Sequence, residues 1–160
     1  MSTLQAIKSK IVGFSEIREL VSMWKSEGKC IVFTNGCFDV LHFGHVSYLA
    51  EAKELGDKLV IGLNSDSSVR RLKGETRPIN GQMERATLLA ALCFVDAVVV
   101  FDEDTPEKLI KEVRPDCLVK GGDYTFETIV GAEFVSSYGG NVITIPLVEN
   151  FSSSSIIKKL

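Results

Sequence analysis

The sequence has no surplus of positive charge. Its 160 residues include 18 lysines and arginines against 21 aspartates and glutamates, which gives a formal net charge of −3 at pH 7. A general nucleic-acid-binding surface carries a basic excess, so this class of protein is excluded. With 45% hydrophobic and 24% charged residues, the composition also excludes a disordered or collagen-like chain and predicts a single domain.

Long apolar runs and processing signals are missing as well. No apolar run approaches the roughly 20 residues that a membrane helix needs, and Met1 to Gln5 lack the basic-then-apolar pattern of a secretory signal. The cysteines form no CxxC pair, which excludes a zinc ribbon and a thioredoxin motif. We therefore expect a cytoplasmic protein without membrane contact, in which the cysteines are reduced thiols: Cys30, Cys37, Cys93 and Cys117.

What the sequence does contain is an alternation of apolar runs and helical patterns. The runs are continuous, which predicts strands that are buried on both faces. Their alternation with helices predicts an α/β domain with a five-stranded parallel sheet flanked by helices. The strands are predicted at 30–34, 59–63, 97–101, 117–119 and 142–145, and the helices at 15–27, 45–55, 82–94, 131–138 and 153–159, with 1–28 as a helical lead-in and a further helix after Pro106.

Several residues mark the ends of these elements. Ser15 is predicted as an N-cap, Gly56 as the glycine after a helix, and Pro106 as a first helical residue with Thr105 as its cap. Residues 64–80 are predicted to be a long loop, and such loops are usually functional or mobile. This loop has a local basic surplus suited to closing over phosphates, although a solvated charged loop is an equal alternative: Arg70, Arg71, Lys73 and Arg77.

The only two histidines, His42 and His45, lie directly after the first predicted strand. Their spacing at a helix start brings both imidazoles to one side of the first turn. Free backbone N–H groups and the helix dipole attract an anion there, and Gly44 leaves room for a phosphate to approach. The pattern indicates phosphoryl-type transfer, in which hydrogen-bond donors meet oxygens that gain charge.

Two other readings of these histidines stay open. In the first, one histidine caps the helix and the other packs, without a ligand. In the second, the histidines form a metal site with Asp39 and Cys37, although no further ligand cluster accompanies them.

The residues around the histidines carry a family resemblance. Thr34-Asn35-Gly36, Phe38-Asp39 and His42-Phe43-Gly44-His45 resemble the HxGH signature of the nucleotidyltransferase superfamily, and match neither a Walker A loop nor GxGxxG. Further stretches, above all Lys120-Gly121-Gly122-Asp123-Tyr124, resemble its ADP-heptose synthase adenylyltransferase branch. The resemblance implies a Rossmann-like sheet of order 3-2-1-4-5. It also implies one nucleotidyltransferase domain over 1–160, without the sugar-kinase domain often fused to it.

The resemblance also implies roles for individual residues. His42, His45 and Lys73 are expected to be catalytic, with the histidines at the α-phosphate and Lys73 at the β- and γ-phosphates. Nucleotide-binding residues are expected at Thr34, Asn35, Gly36, Phe38, Gly44, Arg85, Lys120, Gly121, Gly122, Asp123, Ser152, Ser153 and Ser154. Residues that bind the second substrate are expected at Asp39, Asn64, Asp66 and Arg77. By themselves, the paired glycines also fit a plain turn, and one of the serines also fits a helix N-cap.

The implied reaction is the transfer of AMP from ATP to D-glycero-D-manno-heptose 1-phosphate. It gives ADP-heptose and pyrophosphate for lipopolysaccharide core or surface-glycan biosynthesis. Mg²⁺ is expected to accompany ATP, no metal is expected to be held by the protein, and a homodimer is implied. One alternative is a cytidylyltransferase acting on glycerol 3-phosphate or a similar alcohol phosphate. A second alternative, a regulatory nucleotide-binding module, predicts binding without turnover.

Overall fold

The computed structural model describes residues 1–122 and 124–159, so the predicted nucleotide-binding residue Asp123 lies outside the described residues. The described residues form one parallel sheet of five strands in the order β3-β2-β1-β4-β5, which confirms the predicted fold class and strand order. The strands are β1 (Ile31–Gly36), β2 (Lys58–Asn64), β3 (Ala97–Phe101), β4 (Cys117–Gly121) and β5 (Asn141–Ile145).

Eight α-helices and one 3₁₀-helix lie between and beside the strands in the described part of the chain. The α-helices are α1 (Thr3–Lys8), α2 (Phe14–Ser26), α3 (Phe43–Lys53), α4 (Asp66–Lys73), α5 (Gln82–Ala91), α6 (Glu107–Val113), α7 (Ala132–Ser137) and α8 (Ser153–Ile157), and the 3₁₀-helix is Phe126–Thr128. None of these helices combines the length and the apolar character needed to cross a membrane.

The strand order reverses at β1, which is the central strand. β1 pairs with β2 along its whole length, from Ile31 opposite Lys58 to Gly36 opposite Leu63. With β4 it pairs only at its beginning, at Val32 and Phe33. The carboxyl ends of β1 and β4 therefore flank a crevice at the switch point, which is where parallel α/β sheets bind ligands.

Two hydrophobic clusters cover the two faces of the sheet. Successive strand residues point to opposite faces, so Phe33 joins the cluster that includes α2, α6 and α7, while Val32 joins the one that includes α3 and α5. Full burial of one such apolar side chain stabilises the fold by about 1.5–3 kcal/mol. Because both faces of the sheet are covered by helices, side chains on both faces of β1 and β2 are buried. This explains why the apolar runs of these strands are continuous rather than alternating.

The fifth strand departs from the prediction. β5 lies at the edge of the sheet, and only Ile145 is fully buried, whereas Asn141 and Thr144 are exposed. The prediction of burial on both faces was wrong here, because no strand covers its outer edge and α7 covers only part of its surface.

The predicted loop at 64–80 was also wrong in part, because Asp66–Lys73 forms α4. The Ser65 hydroxyl caps this helix by accepting from the Ser68 N–H, Asp66 lies in its first turn and Lys73 in its last. These charges suit the helix dipole. Only Ser68 and Val69 of the helix are buried, and Val69 and Leu72 are its only apolar residues, so its apolar pattern is too short to indicate a helix in the sequence.

Three predicted helix ends shift. The N-cap of α2 is Gly13 rather than Ser15, and Pro106 is the N-cap of α6 rather than its first residue. Gly56 does not end α3, which stops at Lys53. A Cβ on Gly56 would lie 2.7 Å from Val32 Cγ2, so this glycine serves close packing on β1 rather than helix termination.

Candidate active site

The two histidines meet at the amino end of α3. His42 is the N-cap, and its Nδ1 accepts a hydrogen bond of 3.3 Å from the backbone N–H of His45. The two imidazoles are stacked, with ring centroids 3.7 Å apart and 20° between the planes. Because Nδ1 of His42 accepts, the neutral ring carries its hydrogen on Nε2. His42 therefore caps α3 through Nδ1, which leaves its Nε2 outside the capping bond.

Each imidazole keeps one nitrogen without a partner. His42 Nε2 and His45 Nδ1 are buried and make no hydrogen bond in the described part of the chain. Such atoms usually cost about 1–3 kcal/mol. Burial lowers the pKa of both rings, that of His45 to about 4 with contributions from His42 and Lys73, so both are neutral at pH 7. The pair thus holds unused hydrogen-bonding capacity for a ligand.

Both histidines line a cleft of about 200 Å³. Lys73, at the last turn of α4, lies on its rim and is exposed. The cleft brings together catalytic residues and serines that the sequence predicts from separate motifs. Its lining residues are His42, Gly44, His45, Tyr48, Lys73, Leu147, Val148, Phe151, Ser152, Ser153 and Ser154, none of them acidic.

The serines differ in what their hydroxyls bind. Ser152 is the N-cap of α8 and accepts from the Ser155 N–H at 3.0 Å, so the predicted capping serine is Ser152. The hydroxyl of Ser153 donates to the Val40 carbonyl at 3.2 Å. Ser154 is exposed on the lining of the cleft. Of the three predicted serines, Ser154 is therefore the one without an assigned internal role.

Side chains bridge the crevice between β1 and β4. Thr34 is fully buried, and its hydroxyl shares a 2.6 Å hydrogen bond with Tyr48, whose hydroxyl also donates to the Val119 carbonyl at 3.3 Å. Nζ of Lys120 donates to Oδ1 of Asn35 at 3.0 Å, and burial lowers the pKa of this lysine. The predicted residues Thr34, Asn35 and Lys120 therefore come together, with hydrogen bonds directed at other protein groups.

Other predicted nucleotide-binding residues line the β1–α3 loop and the end of β4. Phe38 is buried with a φ of 44°, and its ring meets His45 edge-on at 5.0 Å between centroids. A Cβ on Gly36 would lie 2.9 Å from the Phe38 ring. Gly121 is packed closely against Leu147, and Gly122 has a φ of 94°, which suits glycine.

Asp39, a predicted substrate-binding residue, is 1% exposed and faces the protein interior. Its carboxylate accepts from the backbone N–H groups of Ile79 (2.7 Å) and Asn80 (3.2 Å) and forms an ion pair with Arg77. Burial by itself would raise the pKa of Asp39, but these hydrogen bonds hold it below its usual value. Asp39 and Arg77 thus tie the segment after α4 to the loop after β1, and Arg77 keeps one buried nitrogen, Nη2, without a partner in the described residues.

Arg85, predicted to face the triphosphate, is instead buried in α5 with 1% of its surface exposed. Its guanidinium donates to the carbonyls of Cys37 (2.7 Å), Asn64 (2.9 Å) and Asn80 (2.9 Å) and to the carboxylate of Asp66 (2.8 Å). Four of its five N–H groups are therefore engaged inside the protein.

We call this second cluster the buried polar network. It joins the ends of β1 and β2 to the start of α5, and its members do not line the histidine cleft. It consists of Asp39, Asn64, Asp66, Arg77 and Arg85.

The alternative of a metal site finds no support. Both carboxylate oxygens of Asp39 accept from Arg77, Ile79 and Asn80. Within residues 1–122 and 124–159, no three His, Cys, Asp or Glu side chains are grouped so as to hold a metal ion.

Four residues of the cleft were not predicted: Tyr48, Leu147, Val148 and Phe151. Leu147 and Phe151 are large apolar side chains that stay 59% and 42% exposed beside a polar serine run. The signal available in the sequence was the apolar Leu147-Val148 and Phe151 beside the serine run after the last predicted strand.

Comparison with known proteins agrees with this geometry. The model of the Cytidylyltransferase-like family matches residues 33–159. The chain belongs to this family. The nucleotidyltransferase superfamily predicted from the HxGH residues is thereby confirmed.

Individual relatives are similar over nearly the whole chain. "Bifunctional protein HldE" of Syntrophotalea carbinolica is 57% identical over 152 residues, and that of Koribacter versatilis is 55% identical over 152 residues. Each match covers 95% of this chain but only 31% of the relative, so the chain spans about a third of the length of these proteins.

A solved structure is similar as well. The lipopolysaccharide core biosynthesis protein from Thermoplasma volcanium GSS1 superposes with a TM-score of 0.61 at 32% identity. The superposition covers 78% of this chain and 100% of that one.

Proposed function

We propose that this chain transfers AMP from ATP to D-glycero-D-manno-heptose 1-phosphate. The observation that carries the proposal is the pair of neutral, stacked imidazoles with unpartnered nitrogens, His42 Nε2 and His45 Nδ1, in one cleft with Lys73. The HldE relatives and the lipopolysaccharide core biosynthesis protein support a sugar phosphate as acceptor. The resemblance of Lys120-Gly121-Gly122-Asp123-Tyr124 to the ADP-heptose synthases supports ATP as donor.

The proposed chemistry is a direct in-line displacement. An oxygen of the sugar 1-phosphate forms a bond to the α-phosphorus of ATP, the bond from that phosphorus to the α,β-bridging oxygen breaks, and pyrophosphate leaves with the electron pair. The products are ADP-heptose and pyrophosphate. The residues contribute position and charge, without a covalent enzyme intermediate.

The two histidines and Lys73 contribute hydrogen bonds and positive charge to the phosphates. The Nε2–H of His42 donates to an α-phosphate oxygen as negative charge builds up there. A triphosphate beside His45 raises the pKa of this imidazole from about 4, because negative charge favours the protonated form. His45 then becomes a stronger donor toward the leaving oxygen, while Lys73 neutralises the β- and γ-phosphates.

Mg²⁺ belongs to the substrate in this proposal. The described lining of the cleft contains no carboxylate, so the protein offers no set of oxygen ligands of the kind that Mg²⁺ prefers. The ion therefore enters with ATP and adds positive charge at the phosphates. Cytoplasmic location and a homodimeric state remain predictions.

Pyrophosphate release tests the proposal directly. We expect release with ATP and the heptose 1-phosphate, and far less with CTP or GTP or with glycerol 3-phosphate as acceptor. Turnover of CTP with glycerol 3-phosphate would instead support the cytidylyltransferase alternative. Binding of ATP without turnover on any acceptor would support a regulatory module.

The variant His45→Ala tests the role of the imidazole pair. Loss of a donor to the developing charge is expected to lower kcat by roughly a hundred- to a thousandfold. Met83→Ala, which shortens an exposed side chain on α5 outside the cleft, is the matched control and is expected to keep its activity. Near-normal turnover of a folded His45→Ala protein would contradict the role.

A further inference from the structure

Residues 147–153, which follow β5 and end at the first residue of α8, lie across the switch-point crevice. We call them the C-terminal strap. At one end, the strap covers the glycine at the end of β4, because a Cβ on Gly121 would lie 2.8 Å from Leu147 Cδ2. At the other end, it covers the glycine of the HxGH stretch, because a Cβ on Gly44 would lie 2.9 Å from Phe151 Cβ. The space left by both glycines is therefore filled by apolar side chains of the same chain.

Phe151 is the residue of the strap that reaches the catalytic histidines. Its ring lies 6.4 Å from that of His42 between centroids, at 26° to it, and packs edge-on against Phe43 at 5.3 Å. Gly44 fits between them, since a Cβ there would lie 3.1 Å from Cε1 and Nδ1 of His42. His45, His42, Gly44 and Phe151 thus form one packed series.

Hydrogen bonds fix Phe151 in this position. The next residue, Ser152, caps α8, and the hydroxyl of Ser153 donates to the Val40 carbonyl. Val40 lies in the loop that leads into α3, two residues before His42. The strap is therefore held to the same loop that carries the imidazole.

His42 needs this support because its own hydrogen bonding is weak. In the described part of the chain, its only side-chain hydrogen bond is the one from the His45 N–H, and 3.3 Å is beyond the usual range for such bonds. That bond alone does not hold the ring plane. Packing against the His45 ring and against Gly44, on which Phe151 lies, does.

We infer that Phe151 is a positioning residue, which holds the His42 imidazole so that Nδ1 stays on the His45 N–H and Nε2 stays available to the phosphate. Its effect on turnover rests on the proposed function, whereas its effect on the imidazole does not. Since the strap crosses the cleft, Phe151 also shields His42 from water, in line with the lowered pKa of that ring.

The test uses the two histidines as spectroscopic probes, because the chain has no others. Imidazole ¹H–¹⁵N spectra of the full chain are followed against pH for the wild type, Phe151→Ala, Phe151→Tyr and Phe126→Ala. Phe126 is the matched control, since it is 43% exposed, against 42% for Phe151, and lines a different cleft. Phe151→Tyr keeps the ring and should restore what Phe151→Ala loses.

In Phe151→Ala we expect the pKa of His42 to rise toward its ordinary value and its signals to show both tautomers. We expect kcat to fall by roughly ten- to a hundredfold, as for a slightly misplaced catalytic group, with a much smaller change in the KM for ATP. Phe151→Tyr and Phe126→Ala should titrate and turn over like the wild type.

An unchanged titration and tautomer of His42 in Phe151→Ala would overturn the inference, as would equal changes in Phe126→Ala. If no variant, including the wild type, forms ADP-heptose, the proposed function fails. The titration of His42 still decides the positioning role in that case.

Discussion

Two clusters of polar side chains flank the loop between β1 and α3, and they differ in how their hydrogen bonds are used. In the buried polar network, Asp39 and Arg85 are bonded to other protein groups at almost every polar atom. In the histidine cleft, His42 and His45 each keep a buried nitrogen without a partner in the described residues. Whether a charged residue near a site has a structural or a ligand-binding role is therefore indicated by its hydrogen-bond partners rather than by its residue type.

This difference separates stability from activity. Removing Asp39 or Arg85 leaves the groups bonded to them without partners inside the protein, which destabilises the fold. Removing a group with no internal partner leaves the fold nearly unchanged and removes a contact to the ligand. The following experiments test this division, beginning with the largest expected change in the free energy of unfolding.

Arg85→Met is expected to be the most destabilising change. It leaves the partly exposed Asp66 carboxylate and the carbonyls of Cys37, Asn64 and Asn80 without their donor, and each buried group left without a partner costs about 1–3 kcal/mol. Urea denaturation measures the loss.

Arg71→Met is the control for Arg85→Met, because Arg71 pairs with Asp102 and Asp104 on the surface. Exposed pairs contribute at most about 1 kcal/mol. An equal loss in both variants would show that burial does not distinguish the two arginines.

Lowering the pH is expected to destabilise the protein through His45. Burial lowers the pKa of this residue from 6.5 to about 4 in the folded state, so between these values the unfolded chain binds more protons. The free energy of unfolding therefore falls as the pH drops from 6.5 toward 4, by at most about 3 kcal/mol.

His45→Gln, which stays neutral, should lose less stability between pH 7 and pH 5 than the wild type. Urea denaturation at the two pH values measures the difference. An equal loss in both proteins would show that His45 is not responsible for the pH dependence.

Tyr48→Phe is expected to have the smallest of the three effects. Tyr48 lines the cleft, but its hydroxyl is bonded inside the protein, to Thr34 and Val119. Removing that hydroxyl leaves a buried hydroxyl and a buried carbonyl with one partner fewer, at a cost of about 1–3 kcal/mol. Thermal unfolding measures the loss. Tyr124→Phe is the control, because the Tyr124 side chain is half exposed. Equal stability of the two variants would contradict the prediction.

The sequence predicts the parts of this molecule that depend on local pattern. Continuous apolar runs indicate the buried strands, and two histidines three residues apart at a helix start indicate the cleft. α4 escapes the prediction because it is only eight residues long and has only two apolar residues, Val69 and Leu72, although Ser65 and Asp66 are ordinary helix-start residues. Strand order came from family resemblance rather than from the residues.

Residues whose environment is made by distant segments were harder to predict. An arginine on a helix is usually exposed, and only the meeting of the Cys37 and Asn80 loop carbonyls, the carbonyl at the end of β2 and the Asp66 carboxylate explains why Arg85 is buried. Likewise, the residues around Phe151 in the sequence do not indicate that it packs on Gly44. The two residues are distant in sequence and meet only in the folded chain, where the segment after β5 lies beside the start of α3. Sequence pattern also does not distinguish a cationic side chain that faces a ligand from one that faces the protein.

The incomplete pairing of β1 and β4 has a consequence for the width of the site. β1 is paired with β4 at Val32 and Phe33. Both strands continue for several residues beyond these pairs without being paired to each other. Beyond that point two side-chain links replace the backbone ladder: Thr34 through Tyr48 to Val119, and Asn35 to Lys120. The crevice is thus a gap in the sheet that the Tyr48 hydroxyl and the Lys120 side chain bridge, and the reach of these two links sets its width.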